Sequence, residues 1–105
     1  MMTFNELKTR LEPIIKTRKA ELKAMKAELI AKDSWEYEIL AIENILACES
    51  EIAALQYALK YKRRTGEIIT RIAQSIEHDT AKGFREYFIN GKLAAMNTVE
   101  AIINE

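Results

Sequence analysis

Hydrophobic residues recur at steps of three and four along the first third of the chain, which is the spacing of one helix face. Arg18 is the single polar interruption of this stripe. At its start Thr3 and Glu6 have the spacing of a capping box. Pro13 lies inside it and has no backbone donor, so we expect either a kink in the turn before Pro13 or a second helix that starts there. The stripe consists of Phe4, Leu7, Leu11, Ile14, Leu22, Met25 and Leu29.

A second helical pattern begins at "KDSWEYE", where Asp33 and Glu36 form another capping-box pair and predict a tight corner between two helices. Gly66 then offers two alternatives, because it can end this helix or lie inside a longer one. We expect a break or bend at Gly66. The hydrophobic seam of the second helix comprises Trp35, Ile39, Ile42 and Leu46, followed by Ile45, Cys48, Ile52, Leu55 and Leu59.

The last third of the chain permits two interpretations. "HDTAKGF" contains helix stop and cap residues, and Asn90-Gly91 is a strong two-residue hairpin signal. The following aliphatic residues keep helical steps, and the alanines among them favour helix over strand. We therefore expect a helix, with a β-hairpin as the alternative. The helical positions are Leu93, Met96, Val99, Ile102 and Ile103.

These patterns together predict an all-α fold in a single domain, residues 1–105. We expect a long antiparallel helical hairpin from residue 3 to about residue 64, with one or two additional C-terminal helices packed on it as a helical bundle of coiled-coil type. A chain of 105 residues has a thin core, and a bare hairpin leaves apolar area uncovered. A homodimer or higher oligomer would bury that area.

The charges are segregated along the chain although they cancel in sum. Residues 1–32 carry eight basic and four acidic side chains, whereas residues 33–59 carry six acidic and no basic ones. An antiparallel hairpin would place these segments opposite each other. Each exposed pair contributes at most about 1 kcal/mol, so the charges select register more than they stabilise. The predicted partners are Lys16, Arg18, Lys19, Lys23, Lys26 and Lys32 opposite Glu36, Glu38, Glu43, Glu49 and Glu51.

The segment "LKYKRRTGEII" is the candidate interaction or anion-binding site. On a continuous helix Tyr57, Lys60, Tyr61 and Arg64 would share one face, a combination that protein interfaces enrich and that can also stack bases and hold phosphates. The alternatives are a solvated helix end, a protein partner, or a nucleic acid or nucleotide. Partners within the chain would be Glu77, Asp79, Glu100 and Glu105. The candidate site residues are Tyr57, Lys60, Tyr61, Lys62, Arg63 and Arg64.

Catalytic chemistry finds no support in the sequence. His78 is the only histidine and Cys48 the only cysteine, so neither a zinc site nor a cysteine–histidine pair is expected. Cys48 lies on the helical seam, where a small buried hydrophobe is its expected role. Three scattered glycines do not build a phosphate-binding loop. We predict no enzyme activity, no catalytic residue, no metal and no cofactor.

Composition sets the expected surroundings. The formal net charge is zero, so a global field would not draw the chain to nucleic acid or to an anionic membrane. No stretch approaches the ~20 apolar residues that span a bilayer, and no signal peptide opens the chain. The single cysteine suits a reducing compartment. We expect a cytoplasmic protein with no membrane partner.

The ending "FREYFINGKLAAMNTVEAIINE" resembles the aromatic, small-residue and aliphatic terminal helix of short phage-encoded accessory proteins. The resemblance implies an all-helical oligomer that binds host proteins or, in some antidefence families, sequesters nucleotide signals. We therefore expect a non-catalytic protein–protein interaction module, for example an inhibitor of a host defence system. The alternatives are an anion-binding module that uses residues 60–64 and a structural or scaffold component.

Overall fold

Four helices make up the computed structural model, which describes residues 2–31, 38–60 and 62–105. They are α1 (Phe4–Ala31), α2 (Glu38–Lys60), α3 (Thr65–Lys82) and α4 (Glu86–Ile103). No strand occurs within these ranges. The fold is therefore an all-α helical bundle, as the sequence predicted. Asn90 and Gly91 lie inside α4, so the alternative of a β-hairpin is wrong.

The first helix starts at the predicted cap and runs without interruption through Pro13. The backbone N–H of Glu6 donates to Thr3 Oγ1 at 3.2 Å, which satisfies one of the free donors at the helix start. Leu7, Leu11 and Ile15 are buried on both sides of Pro13. The alternative of a second helix starting at Pro13 is wrong, because one helix runs from Phe4 to Ala31 and these residues hold both halves of it against one core.

The first two helices pack antiparallel and place opposite charges against each other. Arg18 Nε lies 3.3 Å from Glu51 Oε1, and Lys26 Nζ lies 2.9 Å from Glu49 Oε1. The partner in α2 moves backward as the residue in α1 moves forward, as an antiparallel hairpin requires. These two pairs confirm the predicted arrangement of charges at these positions. The predicted corner with its capping box, and with it Lys32, Trp35 and Glu36, lies outside the described residues.

The break after the second helix is confirmed, but it comes before Gly66. Arg64 has an extended backbone (φ −66°, ψ 140°) and precedes α3. Gly66 lies within the first turn of α3 and has no positive φ. The helix therefore ends in the basic connection itself, and the glycine does not supply the change of direction.

The third helix ends at a glycine cap and turns back into the fourth. Gly83 has φ 75°, a left-handed conformation that side chains other than glycine rarely adopt. The N–H groups of Gly83 and Phe84 donate to the carbonyls of Thr80 and Asp79 at 3.2 and 3.0 Å. This arrangement closes the C-terminal turn of α3 in the manner of a Schellman motif.

The most extensive contact in the bundle joins α2 to α4. Gly91 lies so close to α2 that a Cβ atom there would be 2.3 Å from the carbonyl oxygen of Ala47. Ser50 Oγ donates to the carbonyl of Phe88 at 2.7 Å. The two helices run in the same direction, because α4 begins beside the early turns of α2 and its C-terminal Glu105 reaches back to Arg10 of α1.

The core lies where all four helices contribute aliphatic side chains. Two members of the predicted seam, Ile39 and Ile42, are exposed and do not belong to it. Both line an open groove between the first turns of α2 and the start of α4, where the two helices are not in close contact. The buried hydrophobic residues are Leu7, Leu11, Ile15, Ile45, Cys48, Ile52, Leu55, Ala58, Ile68, Ile72, Ala95, Val99 and Ile102.

The molecule is long and thin. Its extents are 50 × 32 × 21 Å and its Cα radius of gyration is 15.0 Å, against about 13 Å for a compact domain of this length. The smallest extent corresponds to two layers of helices. None of the helices that the structure describes is both long and apolar enough to cross a membrane.

Candidate functional site

The predicted interaction segment lies at the junction between α2 and α3. Tyr57 and Lys60 belong to the end of α2, whereas residues 62–64 form the connection into α3. Tyr61, also predicted as part of this segment, lies outside the described residues. The expected single helix face is wrong, because α2 ends at Lys60 and Arg64 does not continue it.

One aromatic and basic pair of the predicted segment does form. The guanidinium carbon of Arg63 lies 5.4 Å from the centroid of the Tyr57 ring, within the range of a cation–π interaction. A hydrogen bond from Arg63 and its positive charge, with a smaller contribution from Arg71, lower the pKa of the Tyr57 hydroxyl. Tyr57 therefore lies in a positively charged environment at this end of α2.

Two of the acids predicted to partner the basic segment bind other cations. Glu105 forms a bidentate ion pair with Arg10, in which Arg10 Nη1 donates to Oε2 and Arg10 Nη2 donates to Oε1, the latter at 2.7 Å. Asp79 pairs with Lys92 of α4. The first contact joins α1 to the end of the chain after α4, and the second joins α3 to the middle of α4. Both therefore stabilise the packing of helices and do not neutralise residues 60–64.

Asp79 is the centre of a polar cluster between α3 and α4. Its side chain is only 10% exposed, and Lys92 Nζ donates both to it and to Ser75 Oγ, the latter at 2.7 Å. Burial acts to raise the pKa of Asp79, but hydrogen bonds from Lys92 and His78 outweigh burial, so the pKa lies below its ordinary value. The cluster holds a charged carboxylate inside the helical interface.

Glu51 is a second buried carboxylate, which the sequence pattern did not reveal. It lies on α2, and its Oε1 faces Arg18 but accepts no hydrogen bond from the described residues. A hydrogen bond to Glu21 and the charge of Glu51 raise the pKa of Arg18. The polar interruption of the first hydrophobic stripe therefore meets a buried acid across the hairpin.

The side chains considered for chemistry have structural surroundings. Cys48 is buried, and burial raises the pKa of its thiol, which disfavours the reactive thiolate. The His78 side chain is 64% exposed and its Nδ1 lies 3.4 Å from Asp79 Oδ1. Within the described ranges, no group of three or more histidine, cysteine, aspartate or glutamate residues is arranged to hold a metal ion.

Four large aliphatic side chains are exposed at one end of the α1–α2 hairpin, and we name them the hairpin-end surface. They are Ile30 (86% exposed), Ile39 (71%), Leu40 (59%) and Ile42 (43%). The antiparallel hairpin brings the end of α1 and the start of α2 to the same end of the molecule. A shallow groove continues this surface from Ile39 and Ile42 to Tyr87 and Asn90 of α4.

A separate apolar groove of about 400 Å³ lies between α2, α3 and α4. Small residues of α2, Ala53 and Ala54, leave the space open, and Ile72 of α3 and Phe88 of α4 form apolar walls. This groove was not predicted from the sequence, because alanine in a helix is equally consistent with close packing and with an open wall. The polar lining residues are Glu49, Ser50, Tyr57, Ser75 and Lys92.

Comparison with known proteins adds no name to these surfaces. Neither the models of known protein families, nor curated proteins, nor solved structures give a significant match to this chain. The hairpin-end surface, the basic connection and the groove are therefore the features of this chain from which a function can be inferred.

Proposed function

We propose that this chain is a non-catalytic protein–protein interaction module that self-associates through its hairpin-end surface. The observation that carries this proposal is the exposure of Ile30, Ile39, Leu40 and Ile42 at one end of the molecule. Isolated exposed aliphatic residues are common, but a group of them at one place is typical of an interface.

The solvent-accessible surface area of the chain leaves room for one interface of standard size. The accessible surface of the chain is 7244 Å², about 1,200 Å² more than the roughly 6,000 Å² of a compact monomer of this mass. A standard interface removes about 800 Å² from each partner. The excess is therefore large enough to supply one interface.

A second copy is the partner that fits the charges beside this surface. The groove next to Ile39 and Ile42 contains both signs, with Glu43 on α2 and Arg85 and Glu86 at the start of α4. In a two-fold dimer the same patch meets itself, so an arginine of one copy can face an acid of the other. Such a patch is self-complementary.

Sedimentation equilibrium across a dilution series tests this proposal. We expect the unmodified chain to exceed its monomer mass of 12.1 kDa and the double variant Ile39→Glu, Ile42→Glu to sediment as a monomer, because desolvating charges in an apolar interface is unfavourable. Ala24→Glu, at an exposed position of α1, is the matched control and should keep the larger mass. Circular dichroism checks that all three remain helical.

Two results would contradict self-association: a monomeric unmodified chain at the highest concentration, or a double variant that keeps its mass. Species far larger than a dimer would instead indicate the structural or scaffold class. Self-association and scaffold formation are thereby separated in one experiment.

We further propose that a host protein, met in the host cytoplasm, is a second partner, as the resemblance of the C-terminal segment to phage-encoded accessory proteins implies. Binding of a purified candidate host protein should then survive high salt if apolar contacts dominate. Loss of that binding in the Ile39→Glu, Ile42→Glu variant, but not in Ala24→Glu, would assign it to the same surface.

Anion binding is the second candidate function, because Lys62, Arg63 and Arg64 follow one another in the connection and line one groove with Thr65. A nucleic acid or nucleotide held there should dissociate steeply as salt rises. Titration of a labelled oligonucleotide tests this, and the variant Arg63→Gln, Arg64→Gln should abolish binding. Binding that ignores both salt and substitution would exclude this candidate.

A further inference from the structure

Phe84 is an exposed aromatic residue in a turn whose backbone is fixed. It follows Gly83 in the connection from α3 to α4, and its backbone N–H donates to the carbonyl of Asp79 at 3.0 Å. On its other side α4 begins at once, where the N–H of Phe88 donates to the carbonyl of Arg85 at 3.1 Å. The residue after the glycine of a Schellman turn commonly packs back on its own helix, but Phe84 is 51% exposed. Its backbone is therefore held in place while its side chain remains accessible to a partner.

The turn places Phe84 beside the shallow groove between α2 and α4. Arg85, the next residue, lines this groove, whereas Phe84 does not. Phe84 therefore leaves the groove of its own chain unfilled. The groove has a volume of about 720 Å³, and its apolar walls offer contacts to an aromatic ring. These walls are Ile39, Ile42, Leu46 and Tyr87.

The charges around the shallow groove are not neutralised within the described part of the chain. Glu43 of α2 lines the groove together with Arg85 and Glu86 at the start of α4. None of the three forms an ion pair with another described residue. An occupant with an aromatic ring beside charges of both signs would complement this lining. The segment Phe84-Arg85-Glu86 of a second copy has this composition.

We propose that Phe84 of each copy enters the shallow groove of the other copy in a two-fold dimer. This inference rests on the self-association proposed above and adds to it the residue that anchors the contact. A ring and a groove that lie side by side on one chain meet the groove and the ring of the other under two-fold symmetry. Aromatic residues are enriched at the core of interfaces, and a turn that is fixed in the free chain loses little conformational entropy on binding.

Truncation of the ring tests the anchor. Phe84→Ala should raise the dimer dissociation constant by about 30-fold or more, the loss typical of a residue that dominates an interface. Lys82→Ala, exposed in the same turn and outside the groove, is the matched control and should leave the constant unchanged. Sedimentation equilibrium gives the constants, and circular dichroism checks that both variants remain helical.

Filling the groove tests the receiving surface. Asn44→Trp introduces a ring at an exposed position of α2 that lines the groove, and it should weaken the dimer because Phe84 of the other copy is then excluded. Gln56→Trp, at an exposed position of the same helix outside the groove, should leave the dissociation constant unchanged.

A mixture of the two variants shows whether the ring and the groove meet. The Phe84→Ala chain keeps an open groove and the Asn44→Trp chain keeps Phe84, so a mixed dimer retains one of the two contacts. The equimolar mixture should therefore associate more tightly than either variant alone. A mixture that associates no more tightly than its components would overturn the inference.

The unmodified chain distinguishes failure of this inference from failure of the proposed function. A monomer at the highest concentration would contradict self-association and, with it, the placement of Phe84. An unmodified dimer whose dissociation constant is unaffected by Phe84→Ala would leave self-association standing and overturn only the inference.

Discussion

At the scale of single residues, the three glycines have three different roles. Gly91 allows α4 to approach α2, and a Cβ there would lie 2.3 Å from backbone oxygen of Ala47. Gly83 adopts the left-handed conformation that ends α3. Gly66 has open space around the position of a Cβ and lies in ordinary helix. Only the first two need the absence of a side chain.

Alanine should therefore lower stability at Gly91 and Gly83 and raise it at Gly66. Gly91→Ala should lower the free energy of unfolding by about 2 kcal/mol or more, because the obstructing atoms belong to the backbone. Gly83→Ala should cost about 1–2 kcal/mol for the left-handed backbone. Gly66→Ala should raise stability by about 0.5–1 kcal/mol through helix propensity. Urea denaturation measures all three, and a stabilising Gly91→Ala would contradict the close contact of α2 with α4.

The roles of some residues could be predicted from the sequence and those of others could not, for a physical reason. Thr3 was identified as a cap and Cys48 as a buried residue, because both depend on local spacing. Asn90-Gly91 was considered only as the turn signal of the alternative β-hairpin. The need for glycine at position 91 comes from Ala47, which is far away in sequence, so local pattern does not reveal it.

At the scale of helices, the Asp79–Lys92 ion pair stabilises the packing of α3 against α4. Ser75 extends the contact as an acceptor for Lys92, and the hydrophobic residues Ile68 and Ile72 lie on the same helix within the core. The pair is largely shielded from water, unlike the exposed pair of Arg10 with Glu105. Buried partners should matter more to stability than exposed ones.

The contribution of the Asp79–Lys92 ion pair to the free energy of unfolding should depend on pH. The pKa of Asp79 is lower in the folded chain than its ordinary value of 3.8, so its stabilising effect is complete above that value and is lost as the pH falls through the folded pKa. Asp79→Asn should lower the free energy of unfolding at neutral pH by about 1–3 kcal/mol. The difference from the unmodified chain should shrink between about pH 5 and pH 2.

Urea denaturation of both proteins at a series of pH values measures this difference. Glu105→Gln is the control, because it removes an ion pair that is open to solvent and should cost much less at neutral pH. A constant difference between Asp79→Asn and the unmodified chain across the acid range would show that the carboxylate charge is not what joins the helices.

The presence of the helices and their order along the chain were predictable, because hydrophobic periodicity in the sequence indicates helical segments directly. At α1 the alternative of a second helix starting at Pro13 was wrong, since the missing backbone donor was outweighed by burial of Leu7, Leu11 and Ile15 around it. Gly66 misled the prediction at the start of α3, since the break lies in the basic connection. In both cases tertiary packing decided between local alternatives.

At the scale of the whole molecule, the elongated shape is a measurable property. Small-angle X-ray scattering of the monomeric Ile39→Glu, Ile42→Glu variant should give a radius of gyration near the 15.0 Å of the Cα trace, slightly increased by side chains and hydration. The associating unmodified chain should give a larger value that falls on dilution. A variant whose radius approaches the roughly 13 Å of a compact domain would contradict the open arrangement of helices.

The antiparallel hairpin was predictable at this scale because a basic segment and an acidic segment lie on either side of one corner. The placement of α4 beside α2, and the groove that α3 leaves open, were not. They depend on which helix faces meet, and several faces of this chain are apolar enough to be buried. The same ambiguity explains why Ile39 and Ile42 were assigned to the core.

The contact of Gly91 with Ala47 has a consequence for synthesis on the ribosome. The receiving surface on α2 emerges first, and α4, the last of the four helices to be translated, emerges only after α3 is complete. Throughout that interval the nascent hairpin carries an uncovered apolar strip. Productive folding then requires either rapid docking of α4 or binding of a chaperone to this strip. Without one of them, neighbouring nascent chains would aggregate.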